Sequence, residues 1–234
     1  MLPRLLIVTA VAAERDAVLA GIGDQRVLPD PLSPDAAEVD VVAVGVGPAQ
    51  AAAGTMRELA LAQADGAPYR AVICAGIAGG IAGRAEIGDV VVATASVAAD
   101  LGAESGAGSN ARTDGPGTPA GGFLTLDELG FGPSTLAADP ALFPVAGARR
   151  GQILTVSTAT GTRATADELA ERFPDALAEA MEGFGVATAA GTLGVPFAEV
   201  RAISNLVGPR DRGAWRLAEA LAALTDTFTT RKVA

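Results

Sequence analysis

The residues able to do chemistry in this chain are carboxylates and one amide, because its 234 residues include no histidine. That absence removes Ser-His-Asp and Cys-His nucleophile pairs, the two-histidine facial triad and most catalytic zinc sites. A single cysteine, Cys74, removes disulfide frameworks and zinc clusters, and suits a reducing cytoplasm. Lying in an apolar run, Cys74 reads as a small filler rather than a nucleophile. Three candidates stand at the ends of apolar runs: Glu14 just beyond run 5–10, Glu182 after Met181, and Ser204-Asn205 closing Arg201-Ala-Ile-Ser-Asn205. Taken singly, each has a plain structural reading: an exposed helix residue, a solvated helix face, a turn former. If the runs are parallel strands, their ends converge on one cleft.

Three glycine-rich turns follow such runs: Gly45-Val-Gly47, Gly76-Ile-Ala-Gly79-Gly80, and Gly208 after Asn205. Glycine lets a backbone approach a ligand and expose its N–H groups. A dinucleotide site needs Gly-x-Gly-x-x-Gly opening a helix. Gly45-Val-Gly47-Pro-Ala-Gln50 lacks the third glycine, and the only lysine, Lys232, is far from any phosphate loop. Neither a cofactor nor a metal is expected.

The elements that must position these residues alternate. Runs 5–10, 39–46, 71–75, 90–94, 153–158 and 198–205 have the composition of buried strands; 12–19, 49–64 and 215–230 that of helices. Pro48 suits a first helical turn. Thr165-Ala-Asp-Glu168 has the form of a capping box, opening a helix that Pro174 ends. Segment 175–192 favours one unbroken helix by propensity. This order predicts an α/β fold with a central mixed sheet between helical layers, in one domain spanning 1–234. Segment 102–122, rich in Gly, Ser, Pro and Thr, reads as a flexible loop.

Composition bounds the partners. With 27 acidic and 17 basic side chains the net charge is −10, which argues against nucleic acid. No apolar stretch is long enough for a membrane span or a signal peptide, so a cytoplasmic protein is expected.

In order along the chain, Ile7-Val-Thr-Ala-Val-Ala-Ala-Glu14, Gly45-Val-Gly47, Ala75-Gly-Ile-Ala-Gly-Gly80, Ile87-Gly-Asp-Val-Val-Val92, Ala180-Met-Glu182 and Arg201-Ala-Ile-Ser-Asn205 resemble the purine nucleoside phosphorylase and nucleosidase family. Its methylthioadenosine/S-adenosylhomocysteine nucleosidase branch is the most similar. The resemblance implies a three-layer α/β/α fold and hydrolysis of an N-ribosidic bond without a cofactor. It also implies a strand up to about Met181 and a helix from Glu182, against the propensity reading. Glu14 falls on the family's water-activating acid; Met181 and Glu182 fall on its ribose-holding motif. Gly47, Ala78, Gly79, Gly161 and Ser204 are implied substrate contacts. Asn205 stands where adenine-selective members carry an aspartate.

A neutral amide offers one donor group and one acceptor, which suits O6 and a protonated N7 of a 6-oxopurine. Together with Val156-Ser-Thr-Ala-Thr-Gly-Thr162 and Ser204-Asn-Leu-Val-Gly-Pro-Arg-Asp-Arg-Gly-Ala-Trp215, the resemblance implies a hypoxanthine nucleoside of menaquinone biosynthesis. That nucleoside carries a carboxyphenyl group beyond its ribose. Arg210 and Arg212 are candidate clamps for its carboxylate, with Trp215 or Phe184 against the ring; the alternative is a solvated ion pair with Asp211. Arg84 is the one candidate phosphate ligand. The competing readings are an adenine-selective nucleosidase, a phosphorylase, or a purine-nucleoside binding protein without turnover. The family implies a homodimer or larger homo-oligomer, with segment 100–106 near a neighbour's site.

Overall fold

In the computed structural model, the described residues are 2–24, 26–30, 32, 36–104 and 122–229. The chain opens with β1 (Arg4–Thr9), α1 (Ala12–Ile22), β2 (Val27–Pro29), β3 (Ala36–Ala43) and α2 (Pro48–Ala64). It continues with β4 (Tyr69–Gly80), β5 (Val90–Ala98), the short β6 (Gly102–Glu104), β7 (Phe123–Thr125) and β8 (Thr135–Ala137). The last third holds β9 (Arg149–Thr155), α3 (Arg163–Arg172), β10 (Ala176–Ala180), α4 (Gly183–Thr192), β11 (Phe197–Leu206) and α5 (Leu217–Thr229).

Side chains alternate across these strands and so serve two cores at once. Leu6 and Val8 of β1 and Val72 and Cys74 of β4 pack with Ala51 and Leu59 of α2 and Val186 and Ala190 of α4. Their neighbours Leu5, Ile7, Ala71 and Ile73 pack with Val18 and Ile22 of α1 and Leu224 and Phe228 of α5. The result is the expected three-layer α/β/α arrangement around a mixed sheet, in the order β10-β9-β5-β11-β4-β1-β3-β2.

The far end of β4 carries the site. The sequence reading ends this strand near 75 and treats 76–80 as a turn, yet β4 runs on to Gly80. Its small residues let two strands pair with this extension. Asn205 of β11 lies opposite Gly79, and Glu179 of β10, running antiparallel, lies opposite the same glycine. β10 also pairs with β9, so β4, β11, β5, β9 and β10 close into a ring.

Other expectations are corrected. Residues 176–180 are strand rather than helix, and α4 starts at Gly183, as the family resemblance implies and propensity does not. Thr162, not Thr165, caps α3: the Thr165 N–H donates to Thr162 Oγ1 at 3.2 Å. Within the expected loop, 102–104 form β6, paired with β7; 105–121 lie outside the described residues. The C-terminal helix begins at Leu217, after a single 3₁₀ turn at Arg212–Ala214. No helix among the described residues is long and apolar enough to cross a membrane.

Candidate active site

Glu14 sits in the third position of α1, one turn past the end of β1. From there its carboxylate reaches back over the strand ends: Oε2 accepts from Ala10 N at 2.9 Å and Val11 N at 3.3 Å. Oε1 accepts from Ile77 N of β4 at 2.9 Å. The second contact with Val11 is the reciprocal half of a capping box, satisfying an orphan N–H of the helix start. Three backbone donors therefore fix a buried carboxylate while leaving Oε1 one lone pair. The singular reading of Glu14 as an exposed helix residue is overturned.

Glu182 follows β10 and precedes α4, and is also buried. Its Oε1 accepts from Gly47 N at 3.2 Å, at the start of α2, where the helix dipole favours negative charge. Its Oε2 accepts from Arg201 Nη1 at 3.1 Å. Each oxygen keeps a lone pair, which suits a pair of adjacent sugar hydroxyls.

Arg201 is the functional neighbour that sequence reasoning missed. It lies fully buried in β11, donating from Nε to Glu199 Oε1 at 2.9 Å and from Nη2 to Cys74 Sγ at 3.2 Å. Burial opposes its charge, but Cys74, Glu199, Glu182 and Glu14 outweigh that and raise its pKa well above the ordinary value. Burial pushes the Glu199 carboxyl above its usual range, against the pull of Arg201 and Ser96, whose hydroxyl donates to Glu199 Oε2. The Cys74 thiol is pushed well up by burial, which keeps it an unreactive filler. A signal existed: Glu199 and Arg201 stand two apart, on one face of a strand that is otherwise apolar.

Gly76 is where these groups meet. A methyl there would lie 2.5 Å from Glu14 Oε1 and 2.7 Å from Arg201 Nη1. Only the bare backbone lets carboxylate and guanidinium approach β4 this closely.

A cavity of about 230 Å³ opens above these strand ends. Glu14, Ala78, Gly79, Met181, Glu182, Ser204, Asn205 and Arg210 line it together, with Trp215, the expected ring partner, and Glu179, which was not foreseen. Asn205 Oδ1 accepts from the Ser204 hydroxyl at 2.8 Å, and Nδ2 donates to Leu206 O at 3.0 Å. One lone pair and one N–H of the amide remain for a ligand.

Four expected contacts, Gly47, Gly161, Arg212 and Phe184, do not line this cavity. Gly47 acts through its N–H on Glu182. Gly161 borders the adjoining depression beside α3, and its carbonyl accepts from Arg210 N at 3.2 Å. Arg212 is not among the lining residues, although its guanidinium lies over the Trp215 ring, 5.9 Å from its centre. Arg210 lies over the same ring at 5.6 Å and does line the cavity. Phe184 is not among the lining residues; its N–H donates to Thr155 Oγ1 at 2.9 Å.

Arg84 is corrected as a phosphate ligand. Its guanidinium caps the end of α3 and the turn beyond, donating to Ala170 O at 2.7 Å, Phe173 O at 2.8 Å and Ala176 O at 3.2 Å. Among the described residues Arg210 is then the one cation lining the cavity. Among the described residues no group of three or more His, Cys, Asp or Glu could hold a metal ion.

The chain is 50% identical over 238 residues to a futalosine hydrolase of Streptomyces coelicolor, covering 95% of this chain and 92% of that one. It is 44% identical over 234 residues to a futalosine hydrolase of Acidothermus cellulolyticus, covering 95% and 88%. Among solved structures, a Helicobacter pylori methylthioadenosine/S-adenosylhomocysteine nucleosidase mutant with 5′-methylthioadenosine in its active site superimposes with a TM-score of 0.74 at 20% identity, over 99% of this chain and 98% of that one. The native futalosine hydrolase of Helicobacter pylori gives 0.73 at 19%, over 99% and 97%; at such identities the likeness establishes the fold. Residues 35–229 match the family model described as the phosphorylase superfamily, and with half its residues shared with the Streptomyces enzyme, the chain belongs to that superfamily.

Proposed function

We propose that this chain is a nucleosidase that hydrolyses the N-ribosidic bond of futalosine, giving dehypoxanthinyl futalosine and hypoxanthine. The observation that carries the reading is the pair of buried carboxylates, Glu14 and Glu182, facing one cavity that among the described residues has a single cation, Arg210, and no cationic cradle for phosphate. Hydrolysis needs a base and a seat for a cationic sugar; phosphorolysis needs several free cations. The futalosine hydrolases at 50% and 44% identity supply the substrate.

The free lone pair of Glu14 Oε1 takes a proton from water as its oxygen bonds the anomeric carbon. The bond to N9 breaks with its electron pair leaving on the base, which takes up a proton at N7 from solvent water. Positioned base catalysis is worth about 10²–10⁴-fold. Glu182 accepts the ribose hydroxyls, and its charge favours the cationic sugar of the transition state. Asn205 Nδ2 donates to O6 and Oδ1 accepts from N7–H. Met181, Ala78 and Gly79 supply walls, and Ser204 orients Asn205. Arg210, with Trp215 beside it, receives the substrate carboxylate as a charge-assisted pair.

The reading includes a cytoplasmic homo-oligomer. Val11, Val46 and Leu217 rim the cavity with 42%, 51% and 43% of their surface exposed, and a second copy reaching in near Asp100 would cover them. Sedimentation of the purified protein as a monomer would remove that part.

The decisive experiment incubates the protein with futalosine, methylthioadenosine and inosine, with and without phosphate, and measures free base. Hypoxanthine released from futalosine independently of phosphate is expected; phosphate-dependent release would make the protein a phosphorylase. Glu14→Gln should bind futalosine and lose turnover by about 10²–10⁴-fold.

A further inference from the structure

One buried carboxylate in the cavity has no part in the mechanism above. Glu179 is only 8% exposed, and what it does expose faces the cavity that Asn205 lines. Its oxygens are oriented from behind: Oε1 accepts from Thr160 N at 2.9 Å and Oε2 accepts from Thr160 Oγ1 at 2.5 Å. Each oxygen keeps a second lone pair. Burial raises the pKa of this carboxyl, Thr160 opposes that, and Asp100 adds to it. Thr160 satisfies one acceptor site on each oxygen, so the purpose left open is what the remaining lone pairs serve in the cavity.

Register gives that purpose a geometry. Asn205 of β11 and Glu179 of β10 both stand opposite Gly79 of β4, on either side of it. The amide and the carboxylate therefore stand on the two strands that flank β4, roughly 10 Å apart, and both line the cavity, with Val207 as an apolar wall beside Gly79. A methyl on Gly79 would sit 2.9 Å from Val207 and 3.3 Å from Asn205 Nδ2, so the slot depends on glycine. It is a flat gap walled by an amide on one side and an acceptor-only group on the other.

We infer that Glu179 is the residue that selects a 6-oxopurine over a 6-aminopurine, by accepting the N1–H of the base across the slot from Asn205. Hypoxanthine carries a hydrogen on N1 next to the carbonyl at position 6. Adenine carries a lone pair on N1, which would face the Glu179 carboxylate as acceptor against acceptor. Asn205 reads the O6 and N7 edge and leaves N1 unread. While it is ionised, a carboxylate pinned by Thr160 has no hydrogen to donate. Thr160 also ties the selector to the neighbouring loop, because Gly161 O accepts from Arg210 N.

This inference rests on the nucleosidase reading, and its test separates the two. Wild type, Glu179→Gln and Thr160→Val are assayed on futalosine and on its 6-amino counterpart, which differ only at the base. Wild type should prefer futalosine in kcat/KM. Glu179→Gln keeps an oxygen for the Thr160 N–H and gains an NH₂ that can donate to N1. It should lower the futalosine-to-amino ratio by roughly 10- to 100-fold, mainly by raising activity on the amino substrate relative to futalosine. Thr160→Val loosens the carboxylate and should shift the ratio in the same direction by less. If wild type releases no base from futalosine, the nucleosidase reading fails. If wild type prefers futalosine and Glu179→Gln loses equally on both substrates, Glu179 is only structural and the inference is overturned.

Discussion

Replacing Gly76 by alanine tests whether the placement of Glu14 matters as much as its presence. The new methyl would start 2.5 Å from Glu14 Oε1 and 2.7 Å from Arg201 Nη1, where ordinary contact begins at 3.4 Å. Relief requires about 0.9 Å of movement on the carboxylate side or about 0.7 Å on the guanidinium side, and overpacking of this kind costs about 1–3 kcal/mol. Arg201 is held by Glu199, Glu182 and Cys74, so Glu14 is the freer of the two. Moving Glu14 breaks its 2.9 Å bond from Ile77 N and displaces the proton acceptor by nearly an ångström, worth about 10²-fold in rate. The assay is hypoxanthine release from futalosine, with kcat and KM separated, beside thermal unfolding. We expect kcat to fall about 100-fold with KM changed much less. The melting temperature should fall by about 2–4 °C for each kcal/mol lost. A Gly76→Ala protein that melts early yet turns over within threefold of wild type would refute the reasoning.

Further outcomes follow from the same contacts. Gly191→Ala, in α4 where nothing lies within 4 Å of the added methyl, should stabilise by about 0.4–1 kcal/mol with unchanged turnover; calorimetry checks it. Arg84→Ala should destabilise by about 1–3 kcal/mol through the uncapped carbonyls of α3, while futalosine turnover stays unaffected by phosphate. Arg210→Ala should weaken kcat/KM for futalosine far more than for inosine, whereas Arg212→Ala should change neither; equal losses on both substrates would exclude a carboxylate clamp. Ser134 holds the Asp127 carboxyl below its ordinary value through its hydroxyl and its N–H. That depressed pKa adds stability above the unfolded value near 4, lost as pH falls through the folded one. Asp127→Asn should therefore unfold more easily at pH 7, with the difference vanishing in strong acid.

How much of this was legible depended on whether a residue's role was local. Pro48 opens α2 as its local signal implies, whereas the burial of Glu14 was legible only by resemblance, since its neighbours read as an exposed helix start. β10 was legible only by resemblance. Ala-Leu-Ala-Glu-Ala has helical propensity, and only the open edges of β9 and of the extended β4 recruit it as a strand. Glu179 was hidden for the same reason, because a helical reading points it to solvent. Arg201 was hidden by composition, as one charge inside a run read as apolar. The glycines of β4 read as a turn, since glycine usually weakens strands; here their lack of side chains is what allows three strands and two carboxylates to meet.

The bond between Gly47 N and Glu182 Oε1 joins residues 135 positions apart, and Arg201 reaches Cys74 across 127. No fragment shorter than nearly the whole chain contains a complete site. Long-range pairings of this kind are slow to form, because loop closure must precede the contacts that reward it. Recovery of turnover during refolding should therefore trail the return of helical signal and coincide with the slowest structural phase. A truncated or nicked chain that keeps most of its secondary structure would still be inert, which makes catalysis itself a stringent reporter of complete folding.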